Sequence, residues 1–570
     1  MKTIAAFLLF GFFFWLANRG AYKGYFDGDD LDNLCMTNAI GADIFVNSFF
    51  SPKLDQANFR PVGHAFYRYF GSAAQLNYPR YIACIHAVHL INVILLWLLL
   101  RALGFEPLNA AFGLLFYAFN MGTFEIYWKP MYVFDLFCAT FTLASILLWI
   151  RDRWILSFLA FWCAFKAKEV AIAIPVVLAL LDYTLRKRRW KQLLPFLAVS
   201  LSFGLQAVLA NHGPETAYTF HFTFDALKTC LMFYGNRILI VPYGAFIVAA
   251  MFFIPDRRAR FGVAAILLFM APMLFLPGRL FGAYLYVPLI GLSIAAAAFS
   301  HKTGRIASIV LALIWLPLNY RDMQHRRSEQ LAIADQNHVY VNQVLDLVKA
   351  HPQTRAFIFD KSPEGLHSWG VRSGARWAIG LMNPLKEAEI RSKEALDLSA
   401  HEANLAYLIW TPETKKLSTV TRDAATQDIP YIAMNNAAPL WQLGDGWHGV
   451  EGNFEWTNLE AFAHIARPAG AMHFEVLINV GPLLIQTLKQ VKLEVLIDGS
   501  KVGEQQFSTA GWRTLSFEVP PSKSPTAQVE FKASPGYFYE DHNPADALGI
   551  AIGGFGFPTT QYPSVPTPTR

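Results

Sequence analysis

Long apolar segments recur through residues 1–320 of this chain and constrain its fold more than any other feature. The first covers residues 4–17, and after a polar stretch ending near residue 79 further segments begin close to Tyr81, Leu108, Met131, Trp154, Val170, Leu193, Arg237, Phe261, Ala283 and Ile306. Hydrophobic residues make up 54% of the chain, more than an ordinary soluble enzyme contains. The pattern predicts a polytopic α-helical membrane protein with about 11 transmembrane helices.

Basic clusters follow every second apolar segment. They lie at Arg101, at Arg151 and Arg153, and at residues 186–191, 256–260 and 301–305. Lysine and arginine concentrate on the cytoplasmic side of membrane proteins because their translocation is costly. The pattern predicts a cytoplasmic N-terminus, with the loop 18–79 and the whole C-terminal part outside the cell membrane.

Charged residues become frequent after Tyr320, which predicts that a transmembrane domain, 1–320, ends there. A mixed pattern over 321–435, with a helix-like stretch at 369–382, predicts a periplasmic α/β segment. Short alternating segments over 436–558, separated by Gly, Pro and Asp, predict a jelly-roll-like β-sandwich that is a candidate for carbohydrate binding. The Pro/Thr-rich residues 559–570 are predicted to be disordered.

Cysteine usage and net charge exclude two other classes of function. The five cysteines lie in or beside apolar segments, without CxxC spacing, so neither a disulfide framework nor a cysteine metal site is predicted. The net charge of +6 is explained by the clusters that flank apolar segments, so we predict no nucleic-acid partner.

The first outer loop carries four aspartates, Asp27, Asp29, Asp30 and Asp32, within GYFDGDDLDNL. Carboxylates this close repel one another unless a cation, a base role or solvent compensates. The alternative is a solvated acidic turn or the start of a helix, where aspartate is favoured. The spacing of Asp27 and Asp29 also leaves open a bound divalent cation.

Further charges gather at the same predicted face. In NFRPVGHAFYRYF, Arg60, His64 and Arg68 suit either an interfacial anchor or a phosphate site. Three other places carry charge close to membrane depth: Glu125, Lys129 and Asp135; Lys166, Lys168 and Glu169; and Arg279. An ion pair between Glu125 and Lys129, or simple interfacial capping by the lysines, is the structural alternative.

The order of these motifs resembles that of the GT-C superfamily of membrane glycosyltransferases, and within it the protein O-mannosyltransferases and the transmembrane, TPR-containing O-mannosyltransferases. FDGDDLDNL is similar to their first-loop acidic motif, and NFRPVGHAFYR to their Y-R-P-L-T-x-x-x-F-R segment. Glu125 with Asp135 resembles their T-E-A-V stretch, KAKEVAIAIP their K-E segment and YLYVP their R-V-L-Y-L-P.

The resemblance implies transfer of a sugar, with inversion, from a polyprenyl-phosphate carrier to an acceptor at the outer face. By position, Asp29 and Asp30 match the catalytic acidic pair, one of them being the general base that deprotonates the acceptor hydroxyl. The family branch suggests metal-independent transfer, and no other cofactor is predicted.

The resemblance also implies how the donor phosphate is held. Arg60, Lys168 and Arg279 would face that phosphate and offset the charge that develops on it. The supporting charges are Glu125, Asp135 and Glu169. The arginine expected before the L-Y-x-P motif is Ala283 here, so Arg279 is its substitute, and the TPR repeats are absent from this sequence.

The sequence therefore predicts an inverting membrane glycosyltransferase with a polyprenyl-phosphate-linked sugar donor and a glycan, lipid or protein acceptor. No N-x-S/T glycosylation acceptor occurs in the chain, which favours the bacterial inner membrane. One alternative is a glycolipid transporter or flippase, which would need charges near mid-bilayer. Another is a non-catalytic membrane anchor for a carbohydrate-binding domain, whose acidic loop would tolerate substitution.

Overall fold

The computed structural model of the protein divides into two compact units, Met1–Asp335 and Gln336–Arg570. It describes residues 2–53, 59–210, 217–359, 362–363, 365–366, 389–392, 404–423, 426–435, 437–538 and 547–568. The first unit is helical and the second consists mainly of β-strands, which confirms the predicted change along the chain. The division falls inside a helix that continues from Arg305 to Ala350, past the boundary predicted at residue 320.

The first unit contains helices α1 to α16 and most of α17. Their bounds are Lys2–Asn18, Asp30–Ala39, Ala42–Phe50, Pro61–Ala65, Ser72–Ala74, Tyr78–Ala102, Pro107–Ala118, Phe124–Trp128, Val133–Ile150, Trp154–Ala167, Ile174–Leu185, Trp190–Ala210, Phe224–Arg237, Gly244–Ala250, Arg257–Met270, Leu289–Thr303 and Arg305–Ala350. Two helix ends carry the residues typical of such positions: Gly304, with φ of 86°, follows α16, and Pro107 begins α7.

Four helical stretches are long and apolar enough to cross a membrane: Tyr78–Ala102, Pro130–Ile150, Trp190–Leu209 and Arg305–Ala350. The other predicted apolar segments also form helices, but these are shorter than the four, as at Trp154–Ala167, which has 14 residues. The predicted number of about 11 spans therefore stays a prediction.

Helix α16 is buried along most of its length, and small residues allow two neighbouring helices to approach it closely. A Cβ on Gly291 would lie 2.5 Å from the carbonyl oxygen of Gly262 in α15. On another face of α16, a Cβ on Gly113 of α7 would lie 2.3 Å from the carbonyl oxygen of Ser293. Such contacts between backbones are typical of helices that pack in lipid, where small residues line the interface.

We expect Gly291→Ala to destabilise the protein by about 1–3 kcal/mol, because the added methyl group meets backbone atoms that cannot move without separating α15 from α16. Gly204→Ala is the matched control, since a Cβ there meets only the tip of the Ile172 side chain, at 3.3 Å. Thermal unfolding of the purified variants in detergent measures both. Equal transition temperatures for the two variants would contradict this account of the interface.

The helical unit has two ends of different character. At one end, Arg258 donates to the carbonyl of Leu103 at 3.3 Å, and the Asn109 amide lies 3.4 Å from the His301 ring. This end gathers three of the basic clusters that the sequence assigns to the cytoplasm. The predicted site residues meet at the opposite ends of the helices, near the start of α6 and the first turn of α9.

The second unit contains strands β1 to β14 and a short helix, α18, at Pro482–Leu488. The strands are Ala356–Phe359, Glu389–Ser392, Leu405–Thr411, Lys416–Arg422, Tyr431–Ala433, Trp447–Glu451, Phe454–Thr457, Glu460–Ala466, His473–Val480, Val491–Ile497, Ser500–Phe507, Gly511–Glu518, Thr526–Ser534 and Ala551–Gly556. Strands β2-β1-β3-β4 form a mixed sheet in which β1 pairs in parallel with β2 and β3. The helix-like stretch 369–382 lies outside the described residues.

Two antiparallel sheets follow, in the orders β11-β10-β13-β8 and β12-β9-β14-β7-β6. Alternate side chains of both sheets, such as Val476, Ile478, Val495 and Phe531, are buried in one apolar cluster. Within residues 559–570, predicted to be disordered, the Thr567 hydroxyl lies 2.8 Å from that of Thr514 in β12.

Candidate functional site

Three of the four aspartates of the acidic loop lie in different environments. Gly28, with φ of 54°, turns the chain just before α2, which begins at Asp30. Asp27 is buried and accepts hydrogen bonds from Lys129 at 2.5 Å and from Gln330 at 3.0 Å. Asp29, immediately before α2, is exposed, whereas Asp30 is fully buried.

Asp30 is held by groups of the protein. Its carboxylate accepts the backbone N–H of Asp27 at 3.3 Å and the hydroxyl of Tyr67 at 3.2 Å. Burial, with a smaller contribution from the charge of Asp27, raises the pKa of Asp30 well above its ordinary value. A carboxyl group with no solvent exposure has no direct access to an acceptor, so Asp30 suits a positioning role for the loop.

Arg279 lies in the segment between α15 and α16, near the exposed Asp29. Its guanidinium carbon lies 4.4 Å from the ring centre of Tyr218. Burial lowers the pKa of Arg279, but the neighbouring Tyr284 and Tyr218 and the charge of Asp29 raise it above the ordinary value. Within the described part of the chain, Arg279 has no carboxylate within ion-pair distance, and its buried Nε has no hydrogen-bond partner.

Arg60 forms a two-point ion pair with Glu169. Its Nε and Nη2 donate to the carboxylate at 2.7 and 3.1 Å. Burial raises the pKa of Glu169, but the charge of Arg60 and these hydrogen bonds outweigh that effect and lower it. His64 fixes the backbone of Arg60 by accepting its N–H at 2.9 Å, and burial lowers the pKa of His64 to about 4. His64 is therefore neutral and cannot serve as a phosphate-binding cation.

Lys168 forms the second buried ion pair of the region. Its Nζ donates to both carboxylate oxygens of Asp135 at 2.7 Å and lies 4.3 Å from the ring centre of Tyr284. Both charged side chains are almost completely excluded from solvent, at 9% and 4% exposure. Two of the three cations predicted to face the donor phosphate, Arg60 and Lys168, thus already have carboxylate partners.

We expect Asp135→Ala to destabilise the protein by about 3–5 kcal/mol, because it leaves the Lys168 ammonium buried without its counter-charge. The double variant Asp135→Leu/Lys168→Met removes both charges, so it should recover most of that loss. Thermal unfolding in detergent measures the transition temperatures of the wild type, the single variant and the double variant. If the double variant is as unstable as the single one, the charge pair is not the source of the effect.

Glu125 does not pair with Lys129, and that structural alternative is wrong. The turn of helix α8 ends before Lys129, whose side chain reaches Asp27 instead. Glu125 lies 3.6 Å from Arg237 and 3.7 Å from Arg326. Its Oε2 atom is buried and has no hydrogen-bond partner among the described residues.

Sequence reasoning missed Arg237, Arg326 and Gln330, which all contact the predicted site residues. The signal for Arg237 was present, since it is a charged residue beside an apolar segment. Arg326 and Gln330 lie in α17 beyond the predicted end of the membrane domain, at residue 320. No sequence pattern links them to loops about 200 to 300 residues earlier, because helical periodicity reports only local neighbours.

A cavity of about 310 Å³ lies beside Arg60. Among the described residues, three cations, Lys53, Arg60 and Lys166, line it together with one acidic residue, Glu169, and the rings of Phe59, Phe165 and Phe203. The Lys166 ammonium, largely buried, donates to the carbonyl of Ser51 at 2.8 Å. The cavity therefore combines excess positive charge with apolar walls, which suits the phosphate end of a lipid.

The described residues contain no group of three or more His, Cys, Asp or Glu side chains that could hold a metal ion. Asp27, one of the two residues left open for a divalent cation, already binds an ammonium and an amide group. The arrangement at Asp27 and Asp29 therefore offers a cation few carboxylate oxygens.

The sandwich tryptophans divide between core and surface positions. Trp447 is buried and stacks on Phe555 with ring centres 5.6 Å apart, so it belongs to the core. Trp456 and Trp512 are half-buried and each lies 6.2 Å from the ring of Phe454. Carbohydrate binding by this sandwich stays a prediction.

The sequence matches no model of a known protein family, and a search of curated proteins finds no similar chain.

Proposed function

We propose that this protein is an inverting glycosyltransferase of the inner membrane of a bacterium, with its site on the outer face. It moves a sugar from a polyprenyl-phosphate carrier to a hydroxyl group of an envelope glycan, lipid or protein. The observation that carries the proposal is that an exposed carboxylate, Asp29, lies near an arginine, Arg279, that has no carboxylate within ion-pair distance among the described residues. The resemblance to the GT-C superfamily adds to this argument.

The reaction needs one base and one cation, and each has a candidate. Asp29 takes the proton of the acceptor hydroxyl, whose oxygen attacks the anomeric carbon as the bond from that carbon to the phosphate oxygen breaks. Attack from the face opposite the phosphate inverts the anomeric configuration. The leaving phosphate gains negative charge, which the fixed guanidinium of Arg279 stabilises.

The two ion pairs have a different role in this proposal. Glu169 orients Arg60 and Asp135 orients Lys168, so that both cations have fixed positions. A carboxylate partner reduces the net charge that each cation offers to a phosphate. We infer that Arg60 and Lys168 shape the donor site and its adjoining cavity, while Arg279, which has no carboxylate at ion-pair distance among the described residues, offers its charge to the phosphate.

The transport alternative has less support. It would place charged groups near the middle of spanning helices. The polar residues His86, His89 and Asn92 do lie inside α6, but each is hydrogen-bonded: His86 to the carbonyl of Tyr127, His89 to the hydroxyl of Tyr286, and Asn92 to the carbonyl of Leu136. These partners suit a role in packing α6 against its neighbours.

The proposal is tested by supplying membranes that contain the protein with labelled polyprenyl-phosphate sugars and acceptor extracts of the cell envelope. Transfer to an envelope component, absent from matched membranes without the protein, is the expected result. Absence of transfer with every donor would overturn it, and labelled lipid reaching the opposite leaflet without transfer would favour a transporter.

A further inference from the structure

A second, mostly apolar groove lies at the basic end of the helical unit. Its volume is about 730 Å³, and helices α1, α6, α7 and α17 form its walls. Among the described residues that line it, all but Arg101, Arg305 and Ser308 are apolar. Such dimensions suit the chain of a lipid, since ligand pockets in proteins measure about 300–1,000 Å³.

The groove is far from the candidate active site. Helix α17 contributes Arg305 to the groove and Gln330 to the site, where Gln330 binds Asp27. The helical rise between these two residues is about 37 Å, which is close to the thickness of a bilayer. The groove and the site therefore belong to opposite leaflets if the unit crosses a membrane.

The two arginines of the groove have no carboxylate partner among the described residues. Arg101 lies in the last turn of α6 and donates to the carbonyl of Phe105, while Arg305 begins α17 and is exposed. Among the described residues, neither arginine has a carboxylate within 4 Å, including the adjacent Glu106. The Ser308 hydroxyl already has a hydrogen-bond partner, because it donates to the Ser300 hydroxyl at 2.8 Å. The polar end of the groove is therefore a pair of guanidinium groups.

We propose that this groove binds one anionic glycerophospholipid of the cytoplasmic leaflet, with an acyl chain along the apolar walls and the phosphate on Arg101 and Arg305. Charge complementarity selects this occupant: arginine matches the oxygens of a phosphodiester, and basic residues beside a bilayer attract anionic lipids. The rings of Phe7 and Trp97, which meet edge to face with their centres 5.6 Å apart, give the acyl chain an aromatic wall. The site is independent of sugar transfer at the other end.

The test is native mass spectrometry of the full-length protein in detergent, titrated with phosphatidylglycerol or phosphatidylcholine of identical acyl chains. We expect one tightly retained phosphatidylglycerol and weaker phosphatidylcholine binding. Arg101→Gln/Arg305→Gln should weaken phosphatidylglycerol binding by roughly tenfold to thirtyfold, since each basic residue near a membrane contributes about a fivefold factor. Arg151→Gln/Arg153→Gln, which removes two exposed arginines outside the groove, should bind like the wild type.

A second variant keeps the test decisive if the double arginine variant does not fold. Ala111→Trp fills the groove from α7 without changing its charge, and it should lower the retention of both phospholipids. Equal binding of the two phospholipids by the wild type would overturn the proposal. So would unchanged phosphatidylglycerol binding in both groove variants, or preferential binding of a polyprenyl phosphate over phosphatidylglycerol.

Discussion

Replacing Asp29 by asparagine should lower the rate of sugar transfer by about 10²–10⁴-fold, the usual contribution of a general base. Asparagine keeps the shape of the side chain but cannot take the proton of the acceptor hydroxyl. Asp29 is the exposed member of the predicted pair, immediately before α2. The measurement is transfer from a labelled polyprenyl-phosphate sugar in membranes that hold equal amounts of each variant.

Two other aspartates of the same loop serve as comparisons. Asp43→Asn changes an exposed carboxylate in the first turn of α3 and should transfer sugar like the wild type. Asp30→Asn should lower the rate of sugar transfer by less than tenfold. Burial raises the pKa of Asp30 and so favours its neutral form, which asparagine resembles. If Asp30→Asn abolishes transfer while Asp29→Asn does not, the assignment of the base must be reversed.

Arg279→Gln should reduce transfer by about 10²–10³-fold, as expected when one fixed group that stabilises developing charge is removed. The effect should be large because Arg279, unlike Arg60 and Lys168, has no carboxylate partner among the residues described. Arg279→Lys should restore part of the rate, since the ammonium keeps the charge but loses the planar donor geometry.

Arg80→Gln is the control for this series, because Arg80 is an exposed arginine at the start of α6. It should leave transfer unchanged. Binding of unlabelled polyprenyl phosphate, measured by competition with the donor, should weaken in Arg279→Gln and not in Arg80→Gln. Equal competition in the two variants would place the donor phosphate away from Arg279, with the cavity beside Arg60 as the next candidate.

The sequence predicted the parts of the structure that depend on local pattern. Apolar runs became helices, and the region 436–558, whose short alternating segments predicted strands, contains strands such as His473–Val480, Val491–Ile497 and Thr526–Ser534. The predicted boundary at residue 320 followed the change in composition. In the structure, α17 instead continues to Ala350. The change from apolar to charged side chains does not end the helix, because hydrogen bonds between backbone groups hold it.

Only part of the candidate site could be predicted from the sequence. The sequence by itself determined which charged residues sit at helix ends, since a long apolar run leaves its charges only at the flanks. Only the tertiary structure decided their partners: Lys129 pairs with Asp27 and not with its helical neighbour Glu125, and Glu125 meets Arg237 and Arg326 from distant segments. The physical reason is that an ion pair depends on distance in space, which helix packing sets, whereas sequence spacing fixes distance only within one helix.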